Sequence, residues 1–349
     1  MISETDIFNL SGPSYIDAVD WSKEEQRRCV LASVVQGVYI LEHDRQLNRV
    51  GPKSLSTAWW ESFHFHLVDI LVDNADHTMF GAILHLNLPK HIPSSPHAPK
   101  YVVAFRGTLT GSTTRSRDLL LDLKCILNTL HQSSRFQLAL RSIRNAVSKS
   151  GSPNHVWLAG HSLGSAIALL AGKHMAKSGQ NLPTYLFNSP FTSAPLERIK
   201  HEKVKQGIHI ASSVLKAGLS SALTKARGSS ASSTRDGVED GLFDALKGWV
   251  PRLFVNPNDH ICSGYIGYFA QREKMEKIGA GRFEKVATRH TVESLVSGAL
   301  ERKSEPLHLL PSAELVINET QTSNFRAAHG LEQWWDPLLR SRSILYRYN

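Results

Sequence analysis

Hydrophobic residues recur along this chain with two different spacings. In "EEQRRCVLASVVQGVYIL" they recur every three or four residues, which predicts a helix within residues 15–50. Two apolar runs follow, "FHFHLVDILVD" and "MFGAILHLNL", and the polar "NADHT" between them predicts a β-hairpin. The runs "YVVAFRGT", "HVWLAG" and "PTYLFNSP" predict buried strands. Helical patterns lie between these strands, from Asp118 to about Lys149 with a break near "HQSS", and in "SLGSAIALLAGKHMAKSG".

The composition shifts after the third of these buried strands. Residues 197–249 begin with helical patterns and continue into the Ser/Gly-rich "RGSSASSTRDGVEDG", which predicts a partly disordered insertion. Strand patterns resume in "PRLFVNPND" and "SAELVIN", which we expect to be the last two strands. We therefore predict a single α/β domain over residues 1–349. Its sheet is mostly parallel, with helices on both faces and an antiparallel hairpin near its start.

Composition and charge narrow the class of protein further. The chain has 349 residues, 41% of them hydrophobic, which is enough for one large domain with a sizeable core. Its formal net charge of +9 is scattered, with no basic stripe bearing aromatic residues, which argues against a nucleic-acid partner. The charge instead suggests weak association with anionic membrane surfaces.

The cysteines and the first residues bear on location and cofactors. Cys29, Cys125 and Cys262 are widely spaced, so we expect neither a disulfide framework nor a paired metal site. The start lacks a basic end followed by an apolar core, and no apolar run reaches about 18 residues. The sequence therefore predicts a cytoplasmic protein without metal or cofactor.

The segment Gly160-His161-Ser162-Leu163-Gly164 stands between a predicted strand and a predicted helix. A GxSxG pattern in this context is typical of a nucleophile elbow, in which a sharp turn presents a serine at the end of a strand. Gly160 and Gly164 allow the strand and helix to approach closely. The alternative is an ordinary glycine-rich turn of a Rossmann-like sheet. We expect His161 to be structural, with its side chain directed away from the nucleophile.

A nucleophilic serine needs a base and an acid that orients the base, and on such folds the acid precedes the histidine in the chain. The candidate acids are Asp236, Asp240, Asp244 and Asp259. The first two lie in the predicted insertion, and the third has a helical, solvated pattern. Only Asp259 closely follows a strand, "RLFVN", so we predict that it is the acid. The alternative is an ordinary turn aspartate that binds its own backbone.

The candidate bases are His260, His290, His308 and His329. His260 adjoins Asp259, His290 lies in a helical pattern, and His308 precedes the last predicted strand at the wrong end of the sheet. His329 follows that strand and a polar loop, so it can return over the strand ends. We therefore predict His329 as the base, with an ordinary surface-loop histidine as the alternative.

An oxyanion hole would need two backbone N–H groups near the serine. Leu163, directly after Ser162, can supply one. Thr108 can supply the other, because Gly107 permits a sharp exit from the strand "YVVAF". The alternative for Arg106-Gly107-Thr108 is a simple strand end.

At these residues the chain resembles the class 3 lipases, through "VVAFRGT", "VWLAGHSLG", "LFVNPNDHIC" and "AAHGLEQWW". It is most similar to a plant subgroup labelled GDSL esterase/lipase, although no Gly-Asp-Ser-Leu occurs here. The resemblance implies the α/β-hydrolase fold. It also implies a lid directly after Thr108, in the segment "LTGSTTRSRDLLLDLKCIL". The insertion at 197–249 departs from the family pattern.

The resemblance also implies residue roles. Ser162 would be the nucleophile, with Asp259 and His329 as its partners and with Thr108 and Leu163 as oxyanion donors. The implied function is a serine esterase or lipase that cleaves carboxylic esters of acyl lipids through an acyl-enzyme. One alternative is a catalytically inactive, lipase-like scaffold or signalling protein. Another is an acyltransferase or thioesterase that uses the same serine.

Overall fold

The computed structural model describes residues 7–108, 127, 129–191, 245–277 and 310–348. Residues 197–244 of the predicted insertion lie outside these ranges. Of the stretch that the resemblance marks as a lid, only Leu127 lies within them, and it is buried in the core.

Eight strands form one sheet, in which the spatial order of the strands follows the chain order. The strands are β1 (Phe65–Val72), β2 (Met79–Leu86), β3 (Tyr101–Phe105), β4 (Val156–His161), β5 (Thr184–Phe187), β6 (Arg252–Val255), β7 (Ala313–Asn318) and β8 (Ser341–Tyr346). The strands from β3 to β7 run parallel, and β1 and β2 form the expected antiparallel hairpin. This mostly parallel sheet confirms the predicted α/β-hydrolase class.

The last strand corrects one expectation, because β7 is followed by an eighth strand. Strand β8 pairs antiparallel with β7 from Ala313↔Tyr346 to Asn318↔Ser341. Its residues are mostly exposed, so "SRSILY" lacks the apolar run that revealed the central strands. An edge strand needs no such run, because backbone hydrogen bonds to a single neighbour hold it in place.

Helices precede and connect the strands. They are α1 (Phe8–Ser11), α2 (Glu24–Gln46), α3 (Ala58–Glu61), α4 (Ser134–Ser150), α5 (Leu163–Lys177), α6 (Gly264–Lys277) and α7 (Phe325–His329), with 3-10 turns at Gly51–Lys53, Leu130–Gln132, Pro153–His155 and Glu332–Trp334. The predicted break near "HQSS" is present: Ser133 caps α4, and its hydroxyl accepts a hydrogen bond from the N–H of Phe136.

Two hydrophobic clusters cover the two faces of the sheet. One cluster joins Val103 and Leu158 to α4 and α5, and the other joins Val102 and Trp157 to α2. Neighbouring residues of one strand thus enter opposite cores, as the two-residue period of a strand requires. The central strands β3 to β6 are buried on both faces, which explains their continuous apolar runs.

The last residues of the predicted insertion belong to the core. Trp249 is almost fully buried, and its indole N–H donates to the carbonyl of Leu182 at 2.9 Å. The ring lies so close to Gly172 of α5 that a side chain there would collide with it. Trp249 thus belongs to the core, three residues before β6 begins.

Within the described ranges, Cys29 and Cys262 are buried free thiols. In the same ranges no helix combines the length and the apolar character required to cross a bilayer.

Candidate active site

Ser162 occupies the turn between β4 and α5, where the GxSxG pattern predicted a nucleophile elbow. Its backbone has φ 53° and ψ −125°, outside the regions that ordinary residues adopt. Such a conformation costs about 1–3 kcal/mol and persists only where the surroundings enforce it. The N–H of Ser162 donates to the carbonyl of Phe187, which anchors the turn to the end of β5.

The two elbow glycines are required by the close approach of strand and helix. A Cβ at Gly160 would lie 2.5 Å from the carbonyl oxygen of Gly164 and 2.7 Å from the Cα of Ser165. A Cβ at Gly164 would lie 2.5 Å from the carbonyl oxygen of Arg106. These neighbours are backbone atoms and cannot rotate away, so the spacing reflects packing rather than chance.

Asp259 and His329 are brought together from positions 70 residues apart. The Nδ1 atom of His329 lies 2.8 Å from Oδ2 of Asp259. A carboxylate can only accept, so Nδ1 carries the proton and the Nε2 atom of the neutral ring keeps its lone pair. Asp259 is fully buried in the turn after β6, whereas the side chain of His329 is 13% exposed.

The carboxylate of Asp259 is held from several sides. Oδ2 also accepts from the amide of Asn188 at 2.7 Å and from the thiol of Cys262 at 3.2 Å, and Oδ1 accepts from the N–H of Ile261 at 3.0 Å. Burial by itself would raise the pKa of Asp259, but its hydrogen bonds to His329 and Asn188 lower that pKa below the ordinary value. Burial raises the pKa of Cys262 well above normal, so its thiol stays protonated and donates.

Asn188 is a site residue that the sequence reasoning did not identify. It has φ 49° directly after β5, and its side chain is completely buried. Its amide N–H groups reach Asp259 and the carbonyl of Ala328, and its oxygen accepts from the indole of Trp334 at 2.7 Å. The sequence offered one signal for this residue, because Asn188 is a polar residue at the carboxyl end of a predicted strand.

The exit of β3 lies against the nucleophile. A Cβ at Gly107 would lie 2.9 Å from the Cβ of Ser162. The guanidinium of Arg106 is buried and fixes this exit, because it donates to the carbonyls of Met79 and Gly107 at 2.6 Å each. Thr108 follows and is exposed.

The imidazole of His161 is buried beside His329, with the two ring centroids 4.9 Å apart. Its Nε2 lies 2.7 Å from the backbone oxygen of His329, and its Nδ1 lies 2.8 Å from the hydroxyl of Tyr39. The same hydroxyl accepts from the N–H of Gly107 at 2.6 Å. His161, expected to be structural, thus contacts the segment that carries the predicted base.

The competing candidates fall into two groups. His260 is exposed, and its ring stacks on Phe325, which in turn stacks on His329. Asp236, Asp240, Asp244, His290 and His308 lie outside the described residues. In the part of the chain that the structure describes, no group of three His, Cys, Asp or Glu side chains is arranged to hold a metal ion.

A family model and a relative that is similar over its whole length indicate the family of this chain. The model of the family described as Lipase (class 3) matches residues 102–195. The whole chain is 44% identical to a protein of Arabidopsis thaliana named GDSL esterase/lipase, with 100% of this chain and 99% of the relative covered. Among solved structures, a lipase from Rhizopus microsporus var. chinensis shares 14% identity over 70% of each chain, with a TM-score of 0.33.

Proposed function

Because the chain belongs to the class 3 lipase family, we propose that it cleaves carboxylic esters of acyl lipids, with Ser162 as nucleophile. The family and the name of the Arabidopsis relative support hydrolysis of lipid esters. The observation that carries the residue assignment is the 2.8 Å hydrogen bond between Asp259 and His329. It forms at the same edge of the sheet as the strained turn at Ser162.

The proposed reaction begins with proton transfer from Ser162 to Nε2 of His329 as the serine attacks the ester carbonyl. Asp259 keeps the proton on Nδ1 and stabilises the imidazolium that forms. The protonated His329 then donates to the departing alcohol, which leaves an acyl-enzyme. Water, deprotonated by His329, cleaves this intermediate and releases the fatty acid.

The developing oxyanion would be stabilised by backbone N–H groups of Thr108 and Leu163. Leu163 is the first residue of α5, and the first N–H groups of a helix have no intrahelical acceptor. Thr108 directly follows Gly107, which abuts Ser162. Removal of one such donor typically slows an enzyme about 100- to 1,000-fold.

A labelling and hydrolysis experiment tests this proposal. We expect a fluorophosphonate probe to label the wild type but not Ser162→Ala. In a screen over p-nitrophenyl esters of graded chain length and over acylglycerols, we expect kcat for Ser162→Ala to fall by about 10⁴-fold or more. Ser178→Ala, which removes a serine hydroxyl beyond the end of α5, should keep wild-type labelling and activity.

Other outcomes would favour the alternatives. If the folded wild type neither reacts with the probe nor cleaves any ester, the chain is a lipase-like scaffold rather than an esterase. If acyl groups pass to an added alcohol in preference to water, the same serine serves an acyltransferase. Preference for thioesters over oxygen esters of equal chain length would indicate a thioesterase.

A further inference from the structure

His161 and Tyr39 belong to no step of the proposed reaction, yet their side chains connect three segments of the site. Tyr39 projects from α2, on one face of the sheet. His161 is the last residue of β4 and directly precedes Ser162. Tyr39 contacts Gly107, which follows the end of β3. His161 contacts His329, which is the last residue of α7.

The hydrogen atoms of this connection can be assigned from the partners alone. The backbone oxygen of His329 can only accept, so Nε2 of His161 carries a proton and donates at 2.7 Å. In the neutral ring Nδ1 then accepts, and its partner at 2.8 Å is the hydroxyl of Tyr39, which must donate. The oxygen of that hydroxyl accepts from the N–H of Gly107 at 2.6 Å.

The charge states agree with this assignment. Burial, and then the positive charge that His329 carries when it is protonated, lowers the pKa of His161 to about 3, so the His161 ring is neutral at physiological pH. Burial raises the pKa of Tyr39 above its ordinary value, so the hydroxyl keeps its proton. A neutral His161 also matters for catalysis, because a second cation 4.9 Å away would oppose protonation of His329.

We propose that Tyr39 and His161 are positioning residues, which fix the loop bearing Thr108 and the segment bearing His329 against the nucleophile elbow. This inference rests on the proposed esterase function. The chain of hydrogen bonds runs from Gly107 N–H to Tyr39 Oη, from Tyr39 O–H to His161 Nδ1, and from His161 Nε2–H to the carbonyl of His329. These hydrogen bonds thereby fix the oxyanion donor, the nucleophile and the base relative to one another. Misplacement of such groups by 1 Å lowers the rate about 100-fold.

Tyr39→Phe is the first test, because it removes both hydrogen bonds of the hydroxyl and keeps the ring. On a soluble short-chain ester we expect kcat to fall about 10- to 100-fold. We expect KM to stay within about twofold, since the hydroxyl does not contact substrate in this scheme. The matched control is Tyr185→Phe, because the Tyr185 hydroxyl is buried without a hydrogen-bond partner among the described residues. This control should retain wild-type kcat.

Two substitutions of His161 separate positioning from mere filling of space. In His161→Gln the amide N–H can occupy the place of Nε2 and donate to the carbonyl of His329. In His161→Asn the amide reaches only the place of Nδ1, so the bond to His329 is lost. We expect kcat to rank wild type, His161→Gln, His161→Asn, His161→Ala, with little change in KM. Equal kcat for Gln and Asn variants would contradict the proposal.

Nitrogen NMR of the wild type with labelled histidine provides a readout besides activity. We expect His161 to show a protonated Nε2 and a bare Nδ1, unchanged between about pH 5 and 8. A protonated Nδ1 would overturn the assignment even if Tyr39→Phe failed to fold. If the wild type shows no Ser162-dependent hydrolysis, the proposed function fails. If it is active but Tyr39→Phe and His161→Ala match Tyr185→Phe, the positioning role fails alone.

Discussion

Asp259 accepts hydrogen bonds from the imidazole of His329, from an amide, from a thiol and from a backbone N–H, and it does so without exposure to solvent. A buried charge is costly unless it is paired and fully hydrogen-bonded. The donors around Asp259 meet that condition. They keep the group ionised, which lets it orient His329.

The lowered pKa of Asp259 makes part of the stability of the fold depend on pH. In the unfolded chain the carboxyl group titrates near its ordinary value of about 3.9. In the folded protein the pKa of Asp259 lies lower. The stabilisation by its ionised form is therefore fully present at pH values above the pKa of the unfolded chain. It is lost as the pH falls through the pKa of the folded protein.

We therefore expect the difference in unfolding free energy between wild type and Asp259→Asn to shrink as the pH is lowered from about 5 to about 2. Asn cannot titrate, so it lacks the contribution that the wild type loses. Urea denaturation at several pH values measures this difference. A difference that stays constant, or grows towards low pH, would contradict the hydrogen-bonded and ionised state of Asp259.

The positions of the three proposed catalytic residues at strand ends could be predicted from the sequence, but the residues that contact them could not. Ser162, Asp259 and His329 follow strands, and the carboxyl ends of parallel strands share one edge of the sheet. Tyr39 lies inside a long helix, 122 residues before its partner His161, and no local pattern marks it. Asn188 and Trp334 are 146 residues apart, so their hydrogen bond exists only through the fold.

At the scale of elements, a strand is visible in the sequence only where it carries a run of apolar residues. The central strands, covered on both faces, gave continuous apolar runs and were predicted. The two edge strands are both mostly exposed, but β1 carries an apolar run and was predicted, whereas β8 alternates polar residues with few apolar ones and was missed. The predicted helix within residues 15–50 exists, but α2 begins only at Glu24, after a segment of turns.

The junction of β4 and α5 allows a direct test of how tightly strand and helix are packed. We expect Gly164→Ala to lower the free energy of unfolding by about 3 kcal/mol, because its methyl group would meet the backbone of Phe105 and Arg106. Chemical denaturation of the purified protein measures the change.

Gly267 provides the matched control for this substitution. It lies in α6, it is exposed, and a Cβ there would meet nothing within 4 Å. Gly267→Ala should therefore stabilise the protein by about 0.5–1 kcal/mol, as expected for an open helical position. Equal effects of the two substitutions would mean that the elbow can relax and that its glycines are not required by packing.

At the scale of the whole molecule, hydrogen bonds join residues near both ends of the described chain. Arg28 of α2 donates from Nε to the backbone oxygen of Trp334 at 2.9 Å. The indole of Trp335 donates to the carbonyl of Ser11, and the hydroxyl of Tyr15 donates to the carbonyl of Trp335. The segment after His329 is thus held by the first two helices and the turn between them, more than 300 residues away in the chain.

The net charge is a property of the whole chain, and it affects the kind of lipid surface to which the protein binds. The excess of +9 is scattered along the sequence rather than gathered in one stripe. Attraction of such a surface to anionic lipid is long-ranged at low salt. It weakens as the Debye length falls from about 10 Å at 0.1 M to about 3 Å at 1 M.

We predict that the protein binds vesicles containing anionic phospholipid and that 1 M salt releases it. If two basic side chains reach the surface, at about 1 kcal/mol each, affinity at 0.1 M should exceed that for zwitterionic vesicles about 30-fold. Sedimentation of Ser162→Ala with vesicles measures binding without hydrolysis of the lipid. Binding that is equal for both vesicle types and unchanged by salt would assign the attachment to apolar contact, and the net charge would then have no part in bringing the enzyme to its substrate.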